Sequence, residues 1–357
     1  MSPFHVGVRC SPFDQRHPAQ GACMSTYPES DEDHSKRSRI GFVIPTNGAL
    51  PLILETLDSI DSQSLAPARV VVVFDGLNDD IRSLVESHPV EVVIITLEEA
   101  SGGPATPRNI GFDRIRDECD AVCFLDHDDI LHPDFVRLAT AMLEAHADAS
   151  VVSFPFENWL DGTPRGALET LPASSIATTS LELSDYLGAT GSVLPSFTVV
   201  RNEIAPIVRD AGTVFSADFP SNQDFESFVR ILSQRPGVRC DWKAGWYRVI
   251  STSISANGGF SWECRSNACE SLSKWFAGRN DRFGAGAFRR AAGTANRRSA
   301  RHYWAAGERM RSLRMLVLNI LRHRSVRDLV VMMSLLLGVD SKSRGMSSVD
   351  QRQGKIC

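Results

Sequence analysis

Three carboxylates fall within four residues at the end of an apolar run. Residues 122–125 have the composition of a buried strand, and Asp126, Asp128 and Asp129 follow it. Carboxylates that share one crevice repel one another, and a divalent cation relieves that repulsion by taking their oxygens as ligands. The pattern therefore predicts a site for a metal ion and a diphosphate. The alternative is a solvated acidic turn, which fits less well with an apolar strand leading straight into the acids.

The surrounding sequence predicts how this motif is positioned. Apolar runs alternate with helical patterns from residue 40 to residue 156, in the order of repeated βαβ units with a mostly parallel sheet. Thr46, Asp75 and Asp126 stand where predicted strands end, and ligands of open α/β sheets bind at this carboxyl edge. We predict strands over 40–44, 70–74, 90–96, 122–126 and 151–156, and helices over 52–60, 79–86, 107–116 and 134–145.

Composition restricts the class of protein. The chain has 357 residues, of which 43% are apolar and 23% charged, so it can bury a large core without disulfides. Its eight cysteines lack the paired spacing of a zinc site, which indicates free or buried thiols and a reducing cytoplasm. Residues 1–38 contain no apolar signal-peptide core, and we expect them to form a disordered tail. The net charge of −5 argues against nucleic acid as a partner.

The C-terminal part is basic, unlike the rest of the chain. Between Arg279 and Asp328, thirteen arginines accompany three acids. Apolar spacing after Arg314 predicts two amphipathic helices separated at 322–324, and the second apolar run is far shorter than the roughly 20 residues that cross a bilayer. These helices could pack on the preceding domain as a hairpin, or lie on anionic lipid as a peripheral membrane contact. We divide the chain into tails at 1–38 and 341–357, a domain at 39–256 and a helical extension at 257–340.

Several motifs resemble those of a known family in type and order. They are IGFVIPT at 40–46, VVFDGLND at 72–79, PRNIG at 107–111 and DHDD at 126–129. Each is weak alone, but the series resembles the successive motifs of family 2 glycosyltransferases with the GT-A fold. QDFE at 223–226 stands where that family has its Glu-Asp catalytic motif, and WYR at 246–248 resembles the Tyr-Arg strand that follows. The resemblance extends over residues 39–256.

The resemblance implies a donor site at the carboxyl edge of the sheet. A nucleotide sugar would contact Pro45, Thr46, Asp75, Arg108, Asn109, Asp126 and Arg248. The strand-end residues would bind nucleobase and ribose, the arginines would bind phosphate, and Asp128 would hold the Mn²⁺ or Mg²⁺ that bridges the diphosphate. Two alternatives stay open. Asp75 with Gly76 is also an ordinary turn, and Arg108 with Asn109 could be structural.

The resemblance also implies that Asp224 is the general base. An inverting transfer needs a carboxylate opposite the departing diphosphate, where it removes the proton of the acceptor hydroxyl. Asp224 also begins a helical pattern, so its alternative role is a charge at a helix N-terminus, worth at most about 1 kcal/mol. Gln223 replaces the usual glutamate before the base, and Asn47 and Phe74 depart from the motifs that bind uridine. Base recognition and acceptor contacts can therefore differ from the common pattern.

Together these features predict an α/β protein with a GT-A fold, a mostly parallel central sheet and a helical C-terminal extension. The implied function is inverting transfer of a sugar from a nucleotide diphosphate sugar, most simply a UDP-sugar, to a hydroxyl of a carbohydrate or lipid-linked acceptor. An acceptor loop would lie at 158–195, where Trp159 could stack on a sugar ring or pack in the core. Two alternatives remain. One is a non-catalytic carbohydrate- or nucleotide-binding relative, and the other is a nucleotidyltransferase, whose glycine-rich, lysine-bearing loop is missing near the N-terminus.

Overall fold

The computed structural model describes residues 37–48, 51–208, 213–250, 258–323 and 326–336. The predicted tails lie outside these residues, apart from positions 37 and 38. The strands are β1 (Ile40–Thr46), β2 (Arg69–Phe74), β3 (Val93–Thr96), β4 (Ala121–Phe124), β5 (Ile130–Leu131), β6 (Val151–Ser153), β7 (Glu157–Leu160), β8 (Thr178–Leu181), β9 (Thr198–Arg201), β10 (Gly237–Cys240) and β11 (Gly245–Val249). The helices are α1 (Ile53–Asp61), α2 (Asp79–Glu86), α3 (Ala105–Ile115), α4 (Phe135–Ala145), α5 (Leu183–Gly188), α6 (Ala205–Val208), α7 (Gln223–Gln234), α8 (Gly258–Gly278), α9 (Arg282–Ala305), α10 (Arg309–His323) and α11 (Val326–Leu336).

The strands form one large and one small sheet. The large sheet has the order β3-β2-β1-β4-β9-β6-β10-β8, and the small sheet has the order β5-β11-β7. β1 pairs in parallel with β2 and β4, β2 pairs in parallel with β3, and β10 pairs in parallel with β6. Only β9 and β8 run antiparallel to their neighbours in the large sheet. The prediction of a mostly parallel central sheet is therefore confirmed.

Both faces of the large sheet are covered. Along β1 and β2, Val43 and Val71 face one hydrophobic core, whereas Phe42 and Val72 face the other. α3 and α7 complete the first core, and α1 and α4 complete the second. Parallel strands that are buried on both faces have continuous apolar runs, which is why these strands were recognisable in the sequence.

The predicted elements occur in the predicted order and differ at their ends. β4 ends at Phe124, so the acids after it lie in a turn and not on the strand. The predicted strands over 90–96 and 151–156 shorten to Val93–Thr96 and Val151–Ser153. The segment 158–195, predicted as a loop, contains most of β7 together with β8 and α5. Their pairing partners β11 and β10 lie far along the chain, so no local signal revealed them.

The described residues between 258 and 336 are mainly helical, as predicted. α8 packs against α7 and α9, and α10 and α11 both contact α9. A buried polar network attaches α11: Arg297 Nη1 donates to Asp328 Oδ1 (3.1 Å), and Asn319 Nδ2 donates to Asp328 Oδ2 (2.7 Å). The position of a domain boundary near residue 256 stays a prediction.

Several arginines of this extension pack on aromatic rings. The guanidinium carbon of Arg279 lies 3.8 Å from the ring centroid of Trp275, and that of Arg309 lies 4.0 Å from the ring centroid of Trp304. Such cation–π contacts contribute about 0.5–1 kcal/mol at exposed sites. Packing on aromatic rings therefore explains the presence of some of the arginines in the C-terminal extension. No helix among the described residues combines the length and apolarity needed to cross a bilayer.

Candidate active site

The ends of β1, β2 and β4 meet at one edge of the large sheet. Thr46 pairs in register with Phe74, and the N–H of Asp75 donates to the carbonyl oxygen of Thr46 (2.7 Å). Asp126 follows β4, the other neighbour of β1, by two residues. Pro45 and Thr46 are buried, whereas Asp75 is half-buried and accepts from the N–H of Ser101 (2.7 Å). A ligand at this edge would therefore meet the main chain of β1 and the carboxylates of Asp75 and Asp126.

Residues 126–129 form a tight acidic turn. The N–H of Asp129 donates to the carbonyl oxygen of Asp126 (3.2 Å), and the Asp126 N–H donates to Ser196 Oγ (3.1 Å). Burial and the charge of Asp126 raise the pKa of Asp128. Burial and the charges of Asp128 and Asp126 also hold the pKa of Asp129 well above its ordinary value. Full ionisation of this turn is unfavourable without a cation.

The acidic turn fits Mn²⁺ or Mg²⁺, for which Asp126 and Asp128 would supply carboxylate oxygens. Hard divalent cations take carboxylate oxygens, and a cation beside Asp126 and Asp128 would offset the repulsion that raises the pKa of Asp128. Within the described ranges, no cluster of three or more His, Cys, Asp or Glu side chains could hold a metal by itself. Asp129 is fully buried and accepts from the N–H of Arg248 (3.0 Å), so it supports the turn.

Arg248 on β11 is committed to contacts that hold this turn. Its Nε donates to the carbonyl oxygen of Asp128 (2.8 Å), and its guanidinium pairs with Asp161 (2.7 Å) and Glu55 (3.0 Å). The guanidinium carbon also lies 4.3 Å from the ring centroid of Trp159, which packs against protein. A planar cation that already engages two carboxylates and a ring has little capacity left for phosphate. The geometry favours a supporting role for Arg248 over the predicted diphosphate clamp.

Arg108 on α3 is a buried cation with unused donors. It is 3% exposed, and its Nη2 donates to Asp126 Oδ1. Its guanidinium carbon lies 5.2 Å from the centroid of the Phe215 ring. Within the described part of the chain, neither Nε nor Nη1 has a hydrogen-bond partner. Buried N–H groups of a charged side chain are costly when unpaired, so this guanidinium is suited to an oxygen-rich ligand.

Asn109 makes hydrogen bonds to the main chain of Phe215. Its Nδ2 donates to the carbonyl oxygen of Phe215 (2.8 Å), and its Oδ1 accepts from the N–H of Phe215 (3.0 Å). Both ends of the amide are used by the main chain, as the structural alternative expects, and a contact of Asn109 with the donor stays a prediction. Gly111, two residues further on, allows α3 to approach β1, since an added Cβ would lie 2.4 Å from Val43 Cγ1.

The same part of α3 connects the acidic edge to α7. Phe215, which contacts both Arg108 and Asn109, lies in the segment 213–222 that leads into α7. A second link is the contact of Gly103 with Pro220, where an added Cβ would lie 2.9 Å from Pro220 Cα. The carboxyl edge of the sheet and the first turn of α7 are therefore joined through this segment.

Asp224 is half-buried in the first turn of α7. Asn222, which precedes the helix, has a left-handed conformation with φ 64°. Arg265 on α8 donates from Nη1 to Asn222 Oδ1 (3.2 Å) and from Nη2 to Thr190 Oγ1 (3.2 Å). Its guanidinium carbon lies 3.3 Å from the ring centroid of Phe225. Burial lowers the pKa of Arg265, and nearby negative charge, including that of Asp224, acts in the opposite direction.

Sequence reasoning missed Ser196, Phe215 and Arg265. Ser196 and Phe215 act on partners that lie 70 and 106 positions away, so no local pattern identifies them. One feature of the sequence could have identified Arg265. It occupies a position of the apolar stripe that Ala268 and Leu272 continue along α8. Both of those residues are fully buried. A cation on such a stripe is expected to have a specific partner.

Solved structures share this fold. Staphylococcus aureus TarS 1–349 in complex with UDP-GlcNAc matches 84% of this chain and 92% of its own length, with a TM-score of 0.55 and 16% identity. Mannosyltransferase PcManGT from Pyrobaculum calidifontis, in complex with GDP-Man and Mn²⁺, matches 90% of this chain and 86% of its own length, with a TM-score of 0.51 and 16% identity. At this identity the likeness shows the fold alone, which is the GT-A fold.

Sequence comparison points to one family. Residues 42–204 match the sequence model described as glycosyl transferase family 2, which is slightly less than half of this chain. The uncharacterized glycosyltransferase YwdF of Bacillus subtilis is 30% identical over 125 residues, which are 34% of this chain and 45% of the relative. Residues 42–204 are therefore similar to glycosyl transferase family 2, and the match covers less than half the length of that relative.

Proposed function

We propose that this protein is an inverting, metal-dependent glycosyltransferase that moves a sugar from a nucleotide diphosphate sugar, most simply a UDP-sugar, to a hydroxyl of a carbohydrate or lipid-linked acceptor. The observation that carries this proposal is the buried Arg108–Asp126 pair, with two unused N–H groups beside the acidic turn. Support also comes from the TarS structure, which holds UDP-GlcNAc, and the PcManGT structure, which holds GDP-Man and Mn²⁺.

The donor would lie along the carboxyl edge of the sheet. The main chain of Pro45 and Thr46 and the carboxylate of Asp75 would contact the nucleobase and ribose, and Asp126 would accept from a ribose hydroxyl. Arg108 would donate its unused N–H groups to donor oxygens. Asn109 would act indirectly, because it fixes the main chain beneath the Arg108 guanidinium.

Asp128 would hold the Mn²⁺ or Mg²⁺ against the donor diphosphate. The bound ion would stabilise the negative charge that develops on the leaving diphosphate. The contribution of the protein is to keep the 126–129 turn folded although ionisation of its carboxylates is unfavourable. Arg248 and Asp129 do this through hydrogen bonds to the main chain and side chains of the turn.

Asp224 would be the general base. As the acceptor oxygen attacks the anomeric carbon, its proton would move to the Asp224 carboxylate and the bond from that carbon to the diphosphate would break. The substitution occurs from the opposite face, so the configuration is inverted. Arg265 would hold the first turn of α7 so that the carboxylate faces the reacting hydroxyl.

The test is release of nucleoside diphosphate from UDP-GlcNAc, UDP-Glc and UDP-Gal in the presence of an oligosaccharide acceptor panel. Asp224→Asn should lower turnover by at least about a hundredfold, the lower range for general base catalysis, without weakening donor binding. Asp80→Asn, which changes an exposed acid on α2, should leave turnover unchanged. Wild-type turnover in Asp224→Asn would contradict the assignment, and retention of configuration in the product would contradict inversion.

The same assay separates the alternatives. A non-catalytic relative would bind a nucleotide or carbohydrate without releasing nucleoside diphosphate, and it would be indifferent to Asp224→Asn. A nucleotidyltransferase would release pyrophosphate when given a nucleoside triphosphate and a sugar phosphate. The pairing of Arg108 with Asp126 beside the acidic turn supports the transferase over both alternatives.

A peripheral membrane contact through the arginine-rich C-terminal helices is a further part of the proposal. α10 and α11 expose several apolar side chains, among them Met310, Leu321 and Val330, alongside exposed Arg314 and Arg322. Apolar side chains flanked by arginines suit an anionic lipid surface. Flotation with anionic vesicles tests this contact, and protein that stays at the bottom would contradict it. A cytoplasmic location also stays a prediction.

A further inference from the structure

A polar groove lies between α7 and α8, apart from the carboxyl edge of the sheet. We call it the α7–α8 groove. Its volume is about 490 Å³, which is within the range of small-molecule sites. Asp218 of the segment before α7, Arg230 on α7, and Ser271 and Lys274 on α8 line it.

Part of the groove wall is fixed by internal contacts. Arg230 pairs with the fully buried Glu226 and donates from Nη2 to Ser271 Oγ (3.2 Å). Trp275 also lines the groove, and its ring is held by Arg279, whose guanidinium carbon lies 3.8 Å from the ring centroid. Groups that are held in this way keep their positions without a ligand, which lowers the entropic cost of binding one.

Other lining groups are exposed and available. Asn267 and Lys274 are seven positions apart on one face of α8, with Ser271 between them. In the part of the chain that the structure describes, neither side chain takes part in a hydrogen bond or ion pair. The amide both donates and accepts, the ammonium donates, and the carboxylate of Asp218 accepts. Sugar hydroxyls, which donate and accept at adjacent carbons, can use all three groups.

The charges of the groove favour a neutral ligand. The cations Arg230 and Lys274 are balanced by the acids Asp218 and Glu270, so the groove gives a polyanion no net attraction. The guanidinium carbons of Arg279 and Arg230 lie 3.8 and 5.3 Å from the Trp275 ring centroid, so the C–H face of a sugar ring would pack on the part of the ring that these two side chains leave open. A neutral oligosaccharide combines such faces with hydroxyls, whereas lipid or nucleic acid does not match this combination.

We propose that the α7–α8 groove binds the neutral oligosaccharide part of the acceptor, away from the hydroxyl that reacts. As an acceptor site it rests on the proposed transferase function. Asp218 and Asp224 are six positions apart in the chain, and the segment that joins them leads into the first turn of α7. An oligosaccharide held in the groove would therefore extend along this segment towards the proposed base.

The test measures binding of cellotetraose, chitotetraose and mannotetraose, with tetragalacturonate as the anionic comparison, by titration calorimetry on the full chain. The test variant is Asn267→Ala with Lys274→Ala, and the control is Arg290→Ala, which removes an exposed cation from α9. All changed side chains are exposed, so all variants should fold. Thermal stabilisation by UDP-GlcNAc, UDP-Glc and GDP-Man, each with Mn²⁺, is measured in parallel as the readout of the donor site.

We expect at least one neutral tetrasaccharide to bind the wild-type chain, and the double variant to bind it at least tenfold more weakly. The control should bind as the wild type does, and the response to these nucleotide sugars should be the same in all three proteins. Three results would overturn the groove proposal when the donor response is present: equal binding by the double variant, binding of tetragalacturonate alone, or no binding by any tetrasaccharide. Tetrasaccharide binding without any donor response would instead contradict the transferase function and leave a carbohydrate-binding groove.

Discussion

Replacement of Arg265 by methionine tests whether the helical extension positions the proposed base. The guanidinium makes two hydrogen bonds that connect α8 to Asn222 and Thr190, both at 3.2 Å. Methionine keeps much of the packing on Phe225 but removes the charge and both donors. We expect the first turn of α7 to lose its fixed position, and Asp224 with it.

The magnitude follows from the bonds that are lost. A hydrogen bond from a charged group contributes about 1.5–3 kcal/mol, and both acceptors here are half-buried and can recruit water. We therefore expect the variant to lose about 3 kcal/mol of unfolding free energy, the lower end for two such bonds. If half of this stabilisation acts on the placement of Asp224 in the transition state, turnover falls about tenfold.

The assay is release of nucleoside diphosphate, with kcat and the KM for the donor measured separately. Arg265→Met should lower kcat and leave the KM for the donor unchanged, because the contacts of Arg265 with Asn222, Thr190 and Phe225 do not involve the carboxyl edge of the sheet. Arg265→Lys keeps the charge, so it should recover part of kcat. The control is Arg309→Met, which removes a similar contact with Trp304 far from α7 in sequence. A kcat within twofold of the wild type in Arg265→Met would refute the reasoning.

Three further predictions concern stability. Gly111→Ala gains about 1 kcal/mol of helix propensity but forces a Cβ to within 2.4 Å of Val43 Cγ1, and overpacking of about 1–3 kcal/mol should make the net change in urea unfolding destabilising. Asp328→Ala leaves the charge of the mostly buried Arg297 unpaired and should lower the free energy of unfolding in urea by about 3–5 kcal/mol. An unchanged urea midpoint would show that this network contributes nothing to stability. Burial lowers the pKa of His132 from 6.5. The folded protein therefore binds a proton at His132 less readily than the unfolded chain does. The stability that neutral His132 contributes is full above pH 6.5 and is lost as the pH falls below it. His132→Phe should therefore flatten the fall in melting temperature below about pH 6.5, and an unchanged slope would contradict the assignment.

The first half of the fold was predictable because its signals are local. β1, β2 and β4 are buried on both faces, so each is a continuous apolar run, and α1 between β1 and β2 has clear apolar spacing. β7 and β8 were missed because they have no such run. Each is defined by pairing with a strand about 60 to 90 positions away, which composition does not reveal.

The site was predictable in its carboxylates and less so in its cations. The acids that follow strands must lie at the sheet edge whatever the rest of the chain does, and Asp75 and Asp126 are found there. The partners of Asn109 and Arg248 depend on tertiary packing, and both residues turn towards the protein and not towards open solvent. The sequence motif thus located the correct helix and strand, but it did not separate residues that face a ligand from residues that hold the site together.

Binding of nucleotide sugars to the wild-type chain and to Asp128→Asn is the most direct test of the central claim. Melting temperature would be measured with UDP-GlcNAc, UDP-Glc and GDP-Man, each with Mn²⁺ and with chelator. Donor at a hundred times its dissociation constant adds about 2.7 kcal/mol of stability, which is readily measured. We predict stabilisation of the wild type by at least one donor only with Mn²⁺, and none in Asp128→Asn. Equal stabilisation of both proteins, or stabilisation that survives chelation, would contradict a metal–diphosphate site at the acidic turn.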